Sequence, residues 1–131
     1  MKHTFYTDPG HGWLQVPTLE LRDLGIAHLI SRYSYIHPSA KWVYLEEDMD
    51  MTTYLVAKVL GIVPDDWKGA SIVLDDSEKL DKIKAWYKAN VEHDDRATLR
   101  GAPEIKIRNY PSFNPAAKPE SHLIEQMAMA I

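Results

Sequence analysis

The stretch Asp8-Pro9-Gly10-His11-Gly12-Trp13-Leu14 decides how the chain begins to fold. Pro9 and Gly10 suit the central positions of a type II turn, because proline presets φ and glycine accepts the positive φ that follows. The segments on either side, 3–6 and 13–16, are both β-prone. The sequence therefore predicts an N-terminal hairpin that is closed by this turn.

Further strand and helix signals follow along the chain. Residues 32–37 alternate aromatic with polar side chains, and strand-forming residues return at 42–45 after a turn, which predicts a second hairpin. Residues 104–110 alternate strictly and predict a late strand. Apolar spacing and capping residues predict helices over about 18–24, 51–60, 75–91 and 123–131, with a short strand at 71–74.

Hairpins followed by helices favour an α+β fold over a doubly wound parallel one. We expect a single α+β domain over residues 1–131. Its antiparallel sheet is built from two hairpins plus the late strand, and three to four helices pack against it.

The composition narrows the class of protein. A net charge of -4 over 131 residues is too weak to steer the chain onto nucleic acid, so there is no strong nucleic-acid signature. The absence of cysteine excludes disulfides, thiolate metal sites and cysteine nucleophiles. No apolar run reaches signal-peptide length or the roughly 18 residues of a membrane span. We therefore expect a cytoplasmic protein with no membrane partner.

Several motifs taken together resemble a family of small uncharacterised proteins of bacteriophages, prophages and plasmids. The motifs are DPGHGWL at 8–14, LGI at 24–26, SRYSY at 31–35, VYLEEDMD at 43–50 and IRNY at 107–110. The resemblance implies an accessory protein of a mobile element, working in the host cytoplasm, and supplies no catalytic assignment. Relative to shorter members, residues 61–103 look like a family-variable insertion.

Asp8 and His11 form the first candidate site. Histidine moves protons near neutral pH, and a neighbouring carboxylate orients it and raises its pKa. These two residues are therefore the candidate catalytic pair if the protein is an enzyme. In the structural alternative, Asp8 caps the turn with its side chain and His11 packs against Trp13.

The second candidate is an acidic cluster at the end of a predicted strand. Glu46, Glu47, Asp48 and Asp50 offer oxygen ligands that suit Mg²⁺, Mn²⁺ or Ca²⁺. The predicted metal ligands are Glu46, Glu47 and Asp48, with Asp8 as a further donor for the same ion. In the alternative, the acids at 48 and 50 serve the N-terminus of the following helix. The spacing matches no established metal motif.

The third candidate is aromatic. Tyr33 and Tyr35 share one face of their predicted strand, and Trp42 and Tyr44 share one face of theirs. If the two faces coincide, they form a platform on which a base or nucleotide stacks. Core packing accounts for the same residues.

Basic residues on the late strand complete the candidates. Lys106 and Arg108 lie on the same face of that strand. They hold a phosphate if they face a pocket, or form a structural salt bridge if they face the acidic cluster. The residues predicted to bind a ligand are His11, Trp13, Tyr33, Tyr35 and Arg108.

These features support two classes of function. The first is a non-enzymatic binding protein without a cofactor that counters host defence, by sequestering either a host defence protein or a small nucleotide signal. The alternative is a small phosphoester hydrolase that depends on Mg²⁺ or Mn²⁺, with His11 as general base or ligand and Arg108 stabilising the developing charge. The apolar stretch 121–131 additionally suggests a homo-oligomer.

Overall fold

The computed structural model describes residues 2–95 and 106–114. Five strands and four α-helices make up most of this part of the chain. In chain order they are β1 (His3–Thr7), β2 (Gly12–Pro17), α1 (Thr18–Asp23), β3 (Tyr35–Ile36), β4 (Trp42–Glu46), α2 (Asp50–Leu60), α3 (Trp67–Val73), α4 (Ser77–Asn90) and β5 (Val91–Asp94), with 3-10 turns at Ala27–Leu29 and Lys106–Asn109.

The strands form one open sheet in the order β3-β4-β2-β1-β5. The predicted α+β class and both predicted hairpins are confirmed, because β1 pairs antiparallel with β2, and β3 pairs antiparallel with β4. The expectation of a purely antiparallel sheet is wrong, since β5 runs parallel to β1. This edge strand follows α4 directly, and a parallel neighbour of this kind needs a crossover connection.

Two further elements differ from the sequence expectation, and a third expectation falls on residues that the structure does not describe. The expected strand over 104–110 is replaced by a 3-10 turn, Lys106–Asn109, in the part that is described. The apolar residue in this part of the alternating sequence, Ile107, is buried, while Arg108 and Asn109 are exposed. The expected strand at 71–74 belongs to α3, whose first turn is capped by the Asp66 side chain. The expected helix at 123–131 lies outside the described residues.

The two faces of the sheet have different chemistry, because successive side chains on a strand point to opposite faces. One face carries aliphatic residues and Phe5, and it packs against buried residues of the helices such as Leu21, Val56 and Ile83. The other face carries a second cluster that is mainly aromatic, comprising Trp13, Tyr44 and Ile107 with Tyr6, Tyr35, Trp42 and Tyr110 around them. The fold therefore presents an aromatic sheet face on the side away from its main core.

Residues 106–114, here called the cover segment, lie across part of this aromatic face. The Ile36 N–H donates to the Pro111 carbonyl at 2.9 Å, and the Phe113 N–H donates to the Ser34 carbonyl at 2.8 Å. The Tyr110 ring lies 5.5 Å from the Tyr44 ring, centroid to centroid. The cover segment thus pairs with the β3 edge, with the Tyr110 ring on the aromatic face and the Phe113 ring in the main core.

Gly12 is required by close packing rather than by its backbone angles. A Cβ at this position would lie 2.3 Å from Cζ of Phe5, whose ring is buried in the main core. By contrast, a Cβ at Gly69 in α3 would meet its nearest neighbours at 3.6 Å, an ordinary contact.

We predict that Gly12→Ala lowers the free energy of unfolding by about 1–3 kcal/mol, because the Phe5 ring must shift within a packed core. Gly69→Ala is the matched control, and we expect it to be neutral or to gain up to about 1 kcal/mol from helix propensity. Urea unfolding followed by circular dichroism measures both. Equal stability of the two variants would contradict the packing argument.

Candidate functional site

The turn between β1 and β2 is built by the Asp8 side chain. Its Oδ1 accepts the backbone N–H groups of Gly10 and His11, both at 2.9 Å, and the Asp8 N–H donates to the His11 carbonyl. Gly10 does not have a positive φ, so the type II assignment is wrong. The carboxylate closes the turn as an Asx turn does, which removes the need for a left-handed residue.

Asp8 also forms an ion pair with Arg108, 100 residues further along the chain. The Arg108 Nη2 donates to Oδ1 at 2.8 Å, and its Nε donates to Oδ2, so the contact is bidentate. These hydrogen bonds hold the pKa of Asp8 well below its usual range, although burial opposes the shift. The Asp8 carboxylate accepts a hydrogen bond from the backbone N–H of His11. The catalytic hypothesis requires a hydrogen bond to the His11 imidazole instead.

Arg108 in turn lies over Trp13. The guanidinium carbon is 5.3 Å from the centroid of the Trp13 ring, a cation–π distance. His11 lies on the same indole, with the ring centroids 6.1 Å apart. One ion pair therefore connects the β1–β2 turn, the cover segment and the aromatic sheet face.

His11, Trp13 and Arg108 border a pocket of about 340 Å³, here called the aromatic pocket. It brings together all five residues that the sequence suggested as ligand contacts, along with two of the three acids suggested for a metal. The lining residues are His11, Trp13, Tyr33, Tyr35, Glu46, Asp48, Met49 and Arg108. Asp8 and Glu47 are not among them. Met49 is the one lining residue that no sequence signal indicated.

The aromatic side chains of the pocket differ in exposure. Trp13 is only 3% exposed, and its ring lies 6.1 Å from that of Tyr35 in an edge-to-face arrangement. Tyr35 is half-buried, whereas Tyr33 is 63% exposed at the rim. The strand register explains the grouping, because Tyr35 pairs with Tyr44, and Trp13 with Glu46, on the same face. The buried Trp13 ring thus forms the floor of the pocket, and the exposed Tyr33 ring forms part of its rim.

The acidic cluster is largely committed to the start of α2. The Glu46 carboxylate accepts the backbone N–H groups of Asp48, Met49 and Asp50, so Glu46 caps the helix that Asp50 was expected to cap. Glu47 lies behind Gly12, outside the aromatic pocket. Within residues 2–95 and 106–114, no three His, Asp or Glu side chains converge as a metal site requires. The predicted metal set of Glu46, Glu47 and Asp48 is therefore not assembled there.

A buried carboxylate fixes the loop that carries Tyr33. Asp50 is 1% exposed and accepts hydrogen bonds from the Ser31 N–H, the Ser31 hydroxyl and the Ser34 hydroxyl. Burial raises the pKa of Asp50, and the serine hydrogen bonds offset part of that rise. Ser34 Oγ also accepts the Glu46 N–H at 3.0 Å. The SRYSY segment is thus attached both to α2 and to the end of β4.

No protein-family model, curated protein or solved structure matches the chain. The resemblance to small phage, prophage and plasmid proteins therefore stays a prediction. In the part of the chain that the structure describes, no helix combines the length and apolar character needed to cross a bilayer.

We predict that Asp8→Asn lowers the free energy of unfolding at pH 7 by about 1–2 kcal/mol, because it removes a charge-assisted bidentate contact to a partly exposed arginine. The asparagine keeps an acceptor oxygen for Gly10 and His11, so the variant isolates the ion pair from the turn. Asp23→Asn, at an exposed carboxylate of α1, is the matched control.

The same variant has a predicted pH dependence. The folded-state pKa of Asp8 lies below its unfolded value of about 3.9, so its contribution to stability is complete above that pH and is lost as the pH falls further. The gap between wild type and Asp8→Asn should therefore shrink below about pH 4. Chemical unfolding from pH 7 to pH 2 measures it, and a gap that stays constant over this range would contradict the ion-pair account.

Proposed function

We propose that the chain is a non-enzymatic binding protein that holds a small nucleotide in the aromatic pocket. The observation that supports this most is the convergence of two exposed or half-exposed tyrosine rings, an indole, an imidazole and a guanidinium around one cavity. Aromatic rings and arginine planes are the surfaces on which nucleobases stack.

The size of the cavity agrees with a single nucleotide unit. Ligand pockets span roughly 300–1,000 Å³, and the aromatic pocket, at about 340 Å³, lies at the lower end of that range. One base with its sugar fits such a volume better than a dinucleotide would. A larger signalling nucleotide would insert one base and leave the remainder outside.

Binding is better supported than catalysis, because the carboxylates near the pocket are mostly engaged elsewhere. Asp8 is paired with Arg108 and closes a turn, and Glu46 caps α2. Neither is positioned as the partner of the His11 imidazole among the contacts of the described residues. Among the described residues, no specific contact favours the metal-dependent hydrolase.

The resemblance to small proteins of mobile elements supplies the biological setting of the proposal. A nucleotide-binding protein expressed in the host cytoplasm would lower the free concentration of a nucleotide signal and so counter a defence that depends on it. Sequestration of a host defence protein is the other form of the same hypothesis.

We predict that the chain binds nucleoside monophosphates and that Tyr33→Ala weakens this binding about 5- to 150-fold, because base stacking on an aromatic ring contributes about 1–3 kcal/mol. Because the Tyr33 side chain is exposed, we expect the substitution to leave the free energy of unfolding nearly unchanged. Isothermal titration calorimetry with GMP and AMP measures the affinities.

Trp67→Ala is the matched control, because Trp67 is also an exposed aromatic residue but lies on α3, outside the pocket lining. It should bind as the wild type does. The proposal would be abandoned if the wild-type chain bound none of the common nucleotides, or if both variants lost affinity equally.

A further inference from the structure

The charged side chains of the aromatic pocket are Arg108 on one side and the carboxylates of Glu46 and Asp48 on the other, and they differ in the hydrogen bonds that they already make. The Nε–Nη2 edge of Arg108, which would make a bidentate contact with a phosphate, donates to Asp8 instead. The carboxylate of Asp8 also cancels the positive charge of the guanidinium. Arg108 therefore brings to the pocket a charge that is already paired with Asp8, together with the planar guanidinium that lies above Trp13.

On the acidic side of the pocket, one of the two carboxylates receives no hydrogen bond from the described residues. Glu46 is held by three backbone N–H groups, whereas the Asp48 side chain is exposed and receives no hydrogen bond from the residues that the structure describes. Both carboxylates line the cavity. With Arg108 neutralised by Asp8, the lining repels a phosphate and attracts hydrogen-bond donors.

From these contacts we infer that the pocket recognises the base of the nucleotide and not its phosphate, and that the base is guanine. The inference rests on the proposed function, which it makes specific. An ionised carboxylate only accepts hydrogen bonds, through two adjacent oxygens. Guanine presents two adjacent donors, its N1–H and its 2-amino group, on one edge. Adenine and cytosine present an amino group next to an acceptor nitrogen, which the second carboxylate oxygen repels.

In this arrangement the guanine ring lies against the Arg108 plane and the rings of Tyr33 and Tyr35. Its donor edge meets Asp48, and its sugar and phosphate extend into solvent. Because the phosphate makes no paired contact, the affinity depends little on how many phosphates the nucleotide carries. Guanosine, GMP and GDP should therefore bind within about threefold of one another, a difference of well under 1.4 kcal/mol.

The test is a calorimetric titration of the full chain with guanosine, GMP, GDP, IMP and AMP. IMP lacks only the 2-amino group, so we expect it to bind about tenfold more weakly than GMP. Asp48→Asn should weaken GMP binding about 10- to 100-fold, since it removes a charge-assisted hydrogen bond, and should bring the affinities for GMP and IMP together.

Glu47→Gln is the matched control, because it removes the same charge one residue away at a side chain that does not line the pocket. It should leave the affinity for GMP unchanged. An affinity that rises tenfold or more with each phosphate, equal binding of AMP and GMP, or an unaffected Asp48→Asn would overturn the inference while leaving nucleotide binding in place. If no nucleoside or nucleotide binds, both this inference and the proposed function fail.

Discussion

The ion pair between Asp8 and Arg108 is the contact on which the rest of the site depends. The two residues are 100 positions apart, and each has a second task. Asp8 closes the β1–β2 turn, and Arg108 lies over the Trp13 ring. The pair therefore links the β1–β2 turn to the cover segment, whose backbone is also hydrogen-bonded to β3 and to Ser34. Without it, the Arg108 guanidinium would lose one of the contacts that hold it beside the aromatic pocket.

The site follows from a sheet whose two faces are both apolar but are covered differently. The α-helices pack against the aliphatic face, whose core residues are buried, whereas the cover segment closes the aromatic face only in part. The uncovered end of that face becomes the aromatic pocket. The acids around the pocket have different hydrogen-bond partners. Glu46 accepts N–H groups at the start of α2, and Asp50 accepts hydrogen bonds from the SRYSY segment. Asp48 is the acid that remains available to a ligand at the pocket lining.

Sequence reasoning succeeded where local chemistry decides the structure. The hairpin around Pro9-Gly10 and the end of α2 at Gly61, which has a φ of 67°, are both set by a few neighbouring residues. Of the five suggested ligand contacts, Trp13 and Tyr35 share one face through strand alternation, whereas His11, Tyr33 and Arg108 reach the pocket from the β1–β2 turn, the loop before β3 and the cover segment. It failed where partners distant in sequence decide. The bond from Asp8 to Arg108 spans 100 residues and has no local signal. Two other errors were local, because Glu46 rather than Asp50 holds the first N–H groups of α2, and the alternation at 104–110 reflects burial of Ile107 rather than a strand.

Occupancy of the aromatic pocket by a nucleobase is tested most directly by a GMP titration that is followed residue by residue in ¹H–¹⁵N correlation spectra of the labelled chain. We expect saturable shifts confined to the amides around residues 10–13, 33–35, 48–49 and 108, with α3 and α4 unaffected. Saturable shifts centred on other elements, or no shifts at millimolar GMP, would contradict it.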